Sequence, residues 1–165
     1  GSEIATMNDE REGMCPVVDL QASINTIEAV RDFVFSQMQK DLASRSITAI
    51  HDISKGGLFV TLCEMLAASE IGFDVAIDAD ASAIWSLFAE GPGRFIMAVK
   101  QDKLDNVIKS FDEKVSATVI GRAVRGTDNT FARVTQGSKE VIAIKYEDIV
   151  DALSNSLEKA INSHD

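Results

Sequence analysis

Five residues with ligand-binding side chains or unusual backbone freedom fall within seven positions of this sequence: His51, Asp52, Ser54, Gly56 and Gly57. The β-branched and apolar residues of 47–50 predict a strand before them, and the apolar spacing after them predicts a helix. The first N–H groups of a helix have no partners within it, and the helix dipole favours anions there. We therefore predict a strand-to-helix turn that binds an anionic ligand.

Each residue of this turn has a functional and a purely structural interpretation. His51 could contact a ribose or phosphate, act as an acid or base, or simply be hydrogen-bonded in the turn. Asp52 and Ser54 could orient a substrate, but both are also good helix N-caps. Gly56 and Gly57 could admit a phosphate to the backbone N–H groups, or only allow the chain to turn tightly. The residue types alone leave these alternatives open.

A second polar segment, Glu90-Gly91-Pro92-Gly93-Arg94, stands between a predicted short helix and a strongly β-forming stretch. The planar fork of the Arg94 guanidinium suits a phosphate or a carboxylate. Glu90 and Arg94 could instead form an ordinary exposed ion pair, which contributes about 0–1 kcal/mol. The residue types alone leave both alternatives open.

Helices and strands must hold these two segments together. Asp19 caps a predicted long helix that ends near 44–46, in which apolar residues recur at helical spacing at Ile24, Ile27, Val30, Val34, Met38 and Leu42. Gly72 is predicted to stop the helix after the turn, and alternation over 73–77 predicts a strand. Further helices are predicted over 81–89, 104–111 and from Ile149 to the end. Further strands are predicted over 95–99, 117–120, 131–134 and 141–144. The last two of these strands are predicted to form a hairpin.

This order predicts an α+β or α/β layered fold in which one mixed β-sheet is covered by helices. Residues 1–15 are interpreted as a tag remnant and linker, and residues 16–165 as a single domain. The absence of a long apolar run excludes a membrane span, and no signal peptide is evident, so a cytoplasmic location is expected.

Charge and ligand counts exclude several classes of site. The net charge is −10 with scattered Lys and Arg, so no nucleic-acid partner is expected. The two cysteines lack metal-ligand spacing and only two histidines are present, so no metal site is predicted.

Five motifs in a fixed order resemble the C-terminal-type domain of the aminoimidazole ribonucleotide synthetase superfamily. They are Pro16–Leu20, His51–Leu58, Glu64, Phe88–Arg94 and Ile120-Gly121. Within that superfamily the sequence is most similar to the last domain of the synthetase II, or large, subunit of phosphoribosylformylglycinamidine synthase. Two departures stand out, because Lys55 replaces the usual Asp and Gly91-Pro92 replaces a hydroxyl-bearing pair.

The resemblance implies an ATP-dependent ligase of purine biosynthesis that converts formylglycinamide ribonucleotide to its amidine. It also implies that Glu90 and Arg94 join the turn in a ligand cleft. It implies ATP and magnesium as cofactors of the parent enzyme, bound by other domains of the same chain, and a glutaminase subunit that supplies ammonia. The isolated domain is then expected to bind no cofactor and to be inactive, with its catalytic residues unidentified. The alternatives are a domain of a thiamine monophosphate kinase-like enzyme and a noncatalytic structural or docking module. An exposed sheet face that normally meets a sister domain could also make the isolated domain a homodimer.

Overall fold

A computed structural model describes residues 18–111, 115–125 and 132–162, with side chains described as far as residue 155. The predicted leader over 1–15 and the predicted strand start at Phe131 lie outside these ranges. The chain divides into two compact units. The first comprises Gly1–Leu58 and Phe88–Val119, and the second comprises Phe59–Leu87 and Ile120–Asp165. The interpretation of residues 16–165 as one domain stays a prediction.

The first helix of the first unit, α1, spans Leu20–Met38. Asp19 has an extended backbone, and its carboxylate accepts a 2.9 Å hydrogen bond from the Ala22 N–H, which confirms the predicted N-cap. The helix ends earlier than predicted. The carboxylate of Asp41 accepts hydrogen bonds from both the N–H and the hydroxyl of Ser44, and these close a separate turn after the helix.

Two antiparallel strands, β1 (Ile47–Asp52) and β3 (Phe95–Val99), form the sheet of the first unit. A 3₁₀ turn at Gln101–Lys103 leads into helix α4, Leu104–Phe111. The core of this unit contains Ala29, Val30, Val107 and Phe111, with Ile50, Phe95, Met97 and Val99 of the strands packed against it. The rings of Phe33 and Phe111 lie 4.9 Å apart between centroids. Helices α1 and α4 therefore pack on the same two strands.

The apolar residues at helical spacing on α1 are only partly buried. Val30 is buried and Val34 packs against the core. Ile24, Ile27, Met38 and Leu42 are exposed instead, because the buried face of the helix is the one that carries Ala29, Val30 and Phe33. The apolar residues of this helix thus lie on two different faces.

Helix α2, Gly57–Ser69, follows the predicted turn and leads into strand β2, Gly72–Ile77. The helix ends before the predicted stop at Gly72. Glu70 adopts a left-handed conformation with φ +56°, so the chain has left the helix two residues earlier. Gly72 is the first residue of the strand, and Phe73 and Val75 are buried as the alternation predicted.

The second unit contains a four-stranded sheet in the order β4-β2-β5-β6. The strands β4 (Gly121–Val124), β5 (Ala132–Gln136) and β6 (Lys139–Ile144) complete it. β2 is parallel to β5, whereas β2–β4 and β5–β6 are antiparallel. The predicted hairpin joins β5 to β6, with Gln136 opposite Lys139 and Gly137 at φ +58° in the turn. Helices α3 (Ala83–Phe88) and α5 (Tyr146–Asn162) are the remaining elements of this unit.

The predicted combination of a mixed sheet and helices is confirmed, with two corrections. The described strands form two sheets rather than one, of two and four strands. Residues 116–120 are not a strand, and Gly121 begins β4 instead of ending the predicted strand over 117–120. Gly121 lies so close to β2 that a Cβ there would come within 2.7 Å of the Val75 Cα atom. Among the described residues, no helix has the length and apolar character needed to cross a membrane.

Candidate functional site

The end of β1 and the start of β3 bring the two predicted polar segments side by side. His51 lies opposite Ile96 and Asp52 opposite Phe95 in the antiparallel register. The Ile53 N–H then donates a 2.8 Å hydrogen bond to the Arg94 carbonyl oxygen, which continues the pairing past the end of the strands. Ile53 is buried, so this connection is anchored in the interior.

His51 is half-buried at this strand end. Its Nδ1 atom lies 2.7 Å from the Asp52 carbonyl oxygen and 3.5 Å from Oδ1 of the Asp52 carboxylate. Because a carbonyl oxygen can only accept, the first contact favours the tautomer with the proton on Nδ1. Nε2 of that tautomer carries a lone pair, which suits it to accept a hydrogen bond from a hydroxyl group or to act as a base.

Gly56 and Gly57 both adopt left-handed backbone conformations, with φ of +80° and +70°. A side chain at either position would be strained, so the turn requires glycine. The Gly57 N–H donates to the Ser54 carbonyl oxygen at 3.1 Å. The Gly56 N–H donates to Oε1 of Glu90 at 2.9 Å, across 34 positions of sequence. The Gly56 N–H therefore already binds an anionic oxygen, and that oxygen belongs to Glu90 of the second polar segment.

The segment from Glu90 to Arg94 is held in place at both ends. Nη1 of Arg94 donates a 3.0 Å hydrogen bond to the Ala89 carbonyl oxygen, which closes the segment on itself. Gly93 has φ +73°, and a Cβ there would lie 2.9 Å from the Cα atom of Ser23 in the first turn of α1. Glu90 and Arg94 therefore bond to backbone groups and not to each other.

The predicted site residues all lie in the first unit. They are His51, Asp52, Ser54, Gly56, Gly57, Glu90 and Arg94. Ser54 and Lys55 are exposed beside the glycines, and the Asp52 side chain is 62% exposed. The turn thus presents an imidazole, a carboxylate, a hydroxyl and an ammonium group together, a set that can bind the hydroxyl groups and the phosphate of a nucleotide.

Sequence reasoning missed two features of this arrangement. The bond from Gly56 to Glu90 was not predicted, although both residues were candidates. The close approach of Ser23 to Gly93 has no signal in a single sequence, because the two residues are 70 positions apart and Ser23 lies outside every motif. Within the described ranges, no group of three His, Cys, Asp or Glu residues is placed to hold a metal ion.

The reactivity of the Cys63 thiol, on α2, tests whether this side chain is buried. Burial, with a smaller contribution from the charge of Glu64, raises the pKa of the Cys63 thiol to about 12. We expect Cys63 to resist iodoacetamide at pH 8, because the thiolate is the reactive form and is very scarce there. Mass spectrometry of a Cys15→Ser variant measures this, with the same protein in denaturant as the control. Labelling of the folded protein as fast as the denatured protein would contradict it.

The family described as "AIR synthase related protein, C-terminal domain" matches residues 9–133. Phosphoribosylformylglycinamidine synthase subunit PurL of Pyrococcus horikoshii is 28% identical over 121 residues, which are 73% of this chain and 16% of the relative. The same subunit of Thermococcus sibiricus is 32% identical over 127 residues, with 74% and 16% covered. The chain therefore spans about one sixth of the length of these relatives.

Solved structures of the Thermotoga maritima protein have a similar fold. PurL complexed with ATP matches with a TM-score of 0.67 and 18% identity, over 84% of this chain and 23% of that one. PurL complexed with FGAR has a TM-score of 0.65 and 17% identity, with 81% and 21% covered. The structure of PurLQS also gives a TM-score of 0.67, with 17% identity and 84% and 23% covered. These similarities establish the fold.

Proposed function

The chain belongs to the family of AIR synthase related proteins, as their C-terminal domain, and on this premise we propose that it is the last such domain of a phosphoribosylformylglycinamidine synthase. The family predicted from the five motifs is confirmed by the match over residues 9–133. In the proposed parent enzyme, ATP phosphorylates the amide oxygen of formylglycinamide ribonucleotide. Ammonia then displaces the phosphate and gives the amidine.

The functions of the relatives support this proposal. The curated relatives are synthase subunits, and one of the similar structures holds ATP while another holds FGAR. Because the chain spans only 16% of those relatives, the activity is assigned to a longer parent chain. We further propose that the parent's other domains bind ATP, that a glutaminase subunit supplies ammonia, and that the enzyme is cytoplasmic.

The main observation in support of this site is the hydrogen bond from the Gly56 N–H to the Glu90 carboxylate. It fixes the two family motifs against each other at the end of β1. We propose that Gly56, Gly57 and Glu90 hold the turn in shape. His51, Asp52, Ser54 and Arg94 then contact the ribose and phosphate of the ribonucleotide. The imidazole and carboxylate suit the ribose hydroxyls, and the guanidinium suits the phosphate.

ATP and magnesium are proposed for the parent enzyme and not for this domain. This division follows from the family resemblance, which places both on other domains of the same chain, and we assign the phosphoryl transfer to those domains. The contribution proposed for the site residues of this chain is to bind and orient the ribonucleotide.

The proposal is tested by expressing the full-length parent chain and assaying amidine formation from formylglycinamide ribonucleotide, ATP and ammonia. We expect turnover by the parent and none by the 165-residue chain alone. No amidine formation, together with phosphorylation of thiamine monophosphate, would replace the proposal with the kinase alternative.

A noncatalytic module is the second candidate, and two observations favour it. Lys55 and Gly91-Pro92 depart from the family pattern, and the Gly56 N–H is already satisfied within the chain. The variants His51→Ala and Arg94→Ala of the parent separate the two functions. Full activity of both folded variants would assign the domain a structural role, whereas lower kcat/KM of either would assign it to the active site.

A further inference from the structure

The family motif Pro16–Leu20 has no role in the proposed site, although its residues 18–20, which fall within the described ranges, stand at the start of α1. Asp19 makes two hydrogen bonds to the first turn of this helix. Its Oδ1 atom accepts the Ala22 N–H at 2.9 Å, and its carbonyl oxygen accepts the Ser23 N–H at 3.0 Å. Asp19 therefore fixes the position of Ser23 within the turn.

Ser23 in turn lies directly against the second polar segment. A Cβ at Gly93 would come within 2.9 Å of the Ser23 Cα atom and 3.1 Å of its Cβ atom, closer than side chains approach in folded proteins. Gly93 has no side chain and that of Ser23 is short. The main chain of the segment therefore packs directly on the first turn of α1.

Arg94 follows Gly93 in the chain, and two hydrogen bonds hold it. Its carbonyl oxygen accepts the Ile53 N–H at 2.8 Å, and its Nη1 atom donates to the Ala89 carbonyl oxygen at 3.0 Å. The bond from Ile53 joins the segment to the end of β1, whereas Gly93 joins it to α1. The position of Arg94 thus depends on α1 as well as on the turn over 51–57.

We propose that Asp19 is a positioning residue of the ribonucleotide site. It holds the first turn of α1 in shape, and this turn sets the position of Gly93 and Arg94. The proposal rests on the proposed function, in which Arg94 binds the phosphate. Asp19 itself contacts no substrate, since its carboxylate accepts the Ala22 N–H. It acts through the main chain of the second polar segment.

Asp41, after the other end of α1, provides a matched residue. Its Oδ1 atom accepts the Ser44 N–H at 3.0 Å, and its Oδ2 atom accepts the Ser44 hydroxyl at 2.8 Å. Helix α1 has 19 residues and is therefore roughly 28 Å long at 1.5 Å per residue. Asp19 and Asp41 each close a turn of the same unit, but the turn of Asp41 is a helix length away from Gly93.

Two backbone amides report on the two ends of the β1–β3 sheet. The Ile53 N–H, which donates to the Arg94 carbonyl oxygen, reports on the second polar segment. The Lys100 N–H donates to the Ser46 carbonyl oxygen at 2.9 Å, at the opposite end of the same sheet. Exchange of these two N–H groups therefore separates a local loss of position from a general loss of stability.

Hydrogen exchange of the 165-residue chain, followed by NMR, tests the positioning without any substrate. We expect Asp19→Ala to speed exchange of the Ile53 N–H about fivefold, with the Lys100 N–H unchanged. Asp41→Ala should leave the Ile53 N–H unchanged. Equal acceleration of both amides by Asp19→Ala would mean that the cap merely stabilises the unit. That result, or an unchanged Ile53 N–H, would overturn the proposal.

Kinetics of the proposed parent enzyme test the role of Asp19 in binding. We expect Asp19→Ala to raise KM for formylglycinamide ribonucleotide about fivefold, with kcat and KM for ATP unchanged. Asp19→Asn should restore KM, because asparagine also caps helices. Equal KM increases for both substrates, an unchanged KM, or no restoration by Asn would overturn the proposal. A parent enzyme that forms no amidine would instead contradict the proposed function, and the exchange result would still decide whether Asp19 positions the segment.

Discussion

Replacing Glu90 with alanine is expected to lower kcat/KM of amidine formation by the proposed parent enzyme about tenfold. The Glu90 carboxylate accepts the Gly56 N–H across the two motifs, so its loss releases the turn that carries His51 and Ser54. A hydrogen bond to a charged group contributes about 1.5–3 kcal/mol, and the exposure of Glu90 places this one near the lower limit. Each 1.4 kcal/mol corresponds to about a tenfold change in rate.

Glu90→Gln is the matched control, because the amide oxygen of glutamine can still accept the Gly56 N–H without the charge. We expect Gln to retain most of the activity that Ala loses. Steady-state kinetics of both variants, with circular dichroism as a check on folding, measure the difference. Equal losses in the two variants would show that the negative charge matters, and not the position of the turn. Unchanged activity in both variants would show that Glu90 does not hold the turn in an active position.

Replacing Gly121 with alanine is expected to destabilise the chain by about 3 kcal/mol or more, because an added Cβ cannot be placed without moving backbone. That Cβ would lie 2.7 Å from the Val75 Cα atom and closer still to the Asp74 carbonyl oxygen. Both neighbours are main-chain atoms of β2, so no side chain can rotate away. β4 would have to separate from β2, with loss of their pairing.

Gly91→Ala provides the comparison for this prediction. A Cβ at Gly91 would meet only the Arg94 Cδ atom, at an ordinary distance of 3.9 Å. We expect its effect on the free energy of unfolding to stay within about 0.5 kcal/mol. Urea unfolding of both variants, followed by circular dichroism, measures the two effects. A stable Gly121→Ala variant would mean that β2 and β4 do not pair as closely as described.

Local signals in the sequence predicted much of the fold. The Asp19 cap, strand β3 over 95–99 and the hairpin turn at Gly137 were predicted correctly, since capping, alternation and turn chemistry act over a few residues. Glycine was less reliable as a helix stop or a strand end. Gly72 and Gly121 were interpreted as the ends of elements, but both begin strands. At Gly121 a small residue is required because the neighbouring strand β2 lies very close, and not because of the local backbone conformation.

The candidate site was predictable in its residue types but not in its contacts. The predicted turn between a strand and a helix indicated His51 and the two glycines, and the family resemblance added Glu90 and Arg94. Periodicity could not separate the two faces of α1, because both carry apolar residues, and it placed the exposed Ile24 and Ile27 in one row with the buried Val30. A single sequence also carries no information on pairs that are distant along the chain, such as Gly56 with Glu90.

Hydrogen exchange of the full-length parent enzyme, with and without saturating formylglycinamide ribonucleotide and ATP, tests the central claim most directly. The claim is that the turn over 51–57, fastened to Glu90, faces the ribonucleotide. We predict several-fold slower exchange in peptides covering 51–57 and 88–95 when the ligands bind, with no change in the β5–β6 hairpin as an internal control. Unchanged exchange in both segments at ligand saturation would contradict the account.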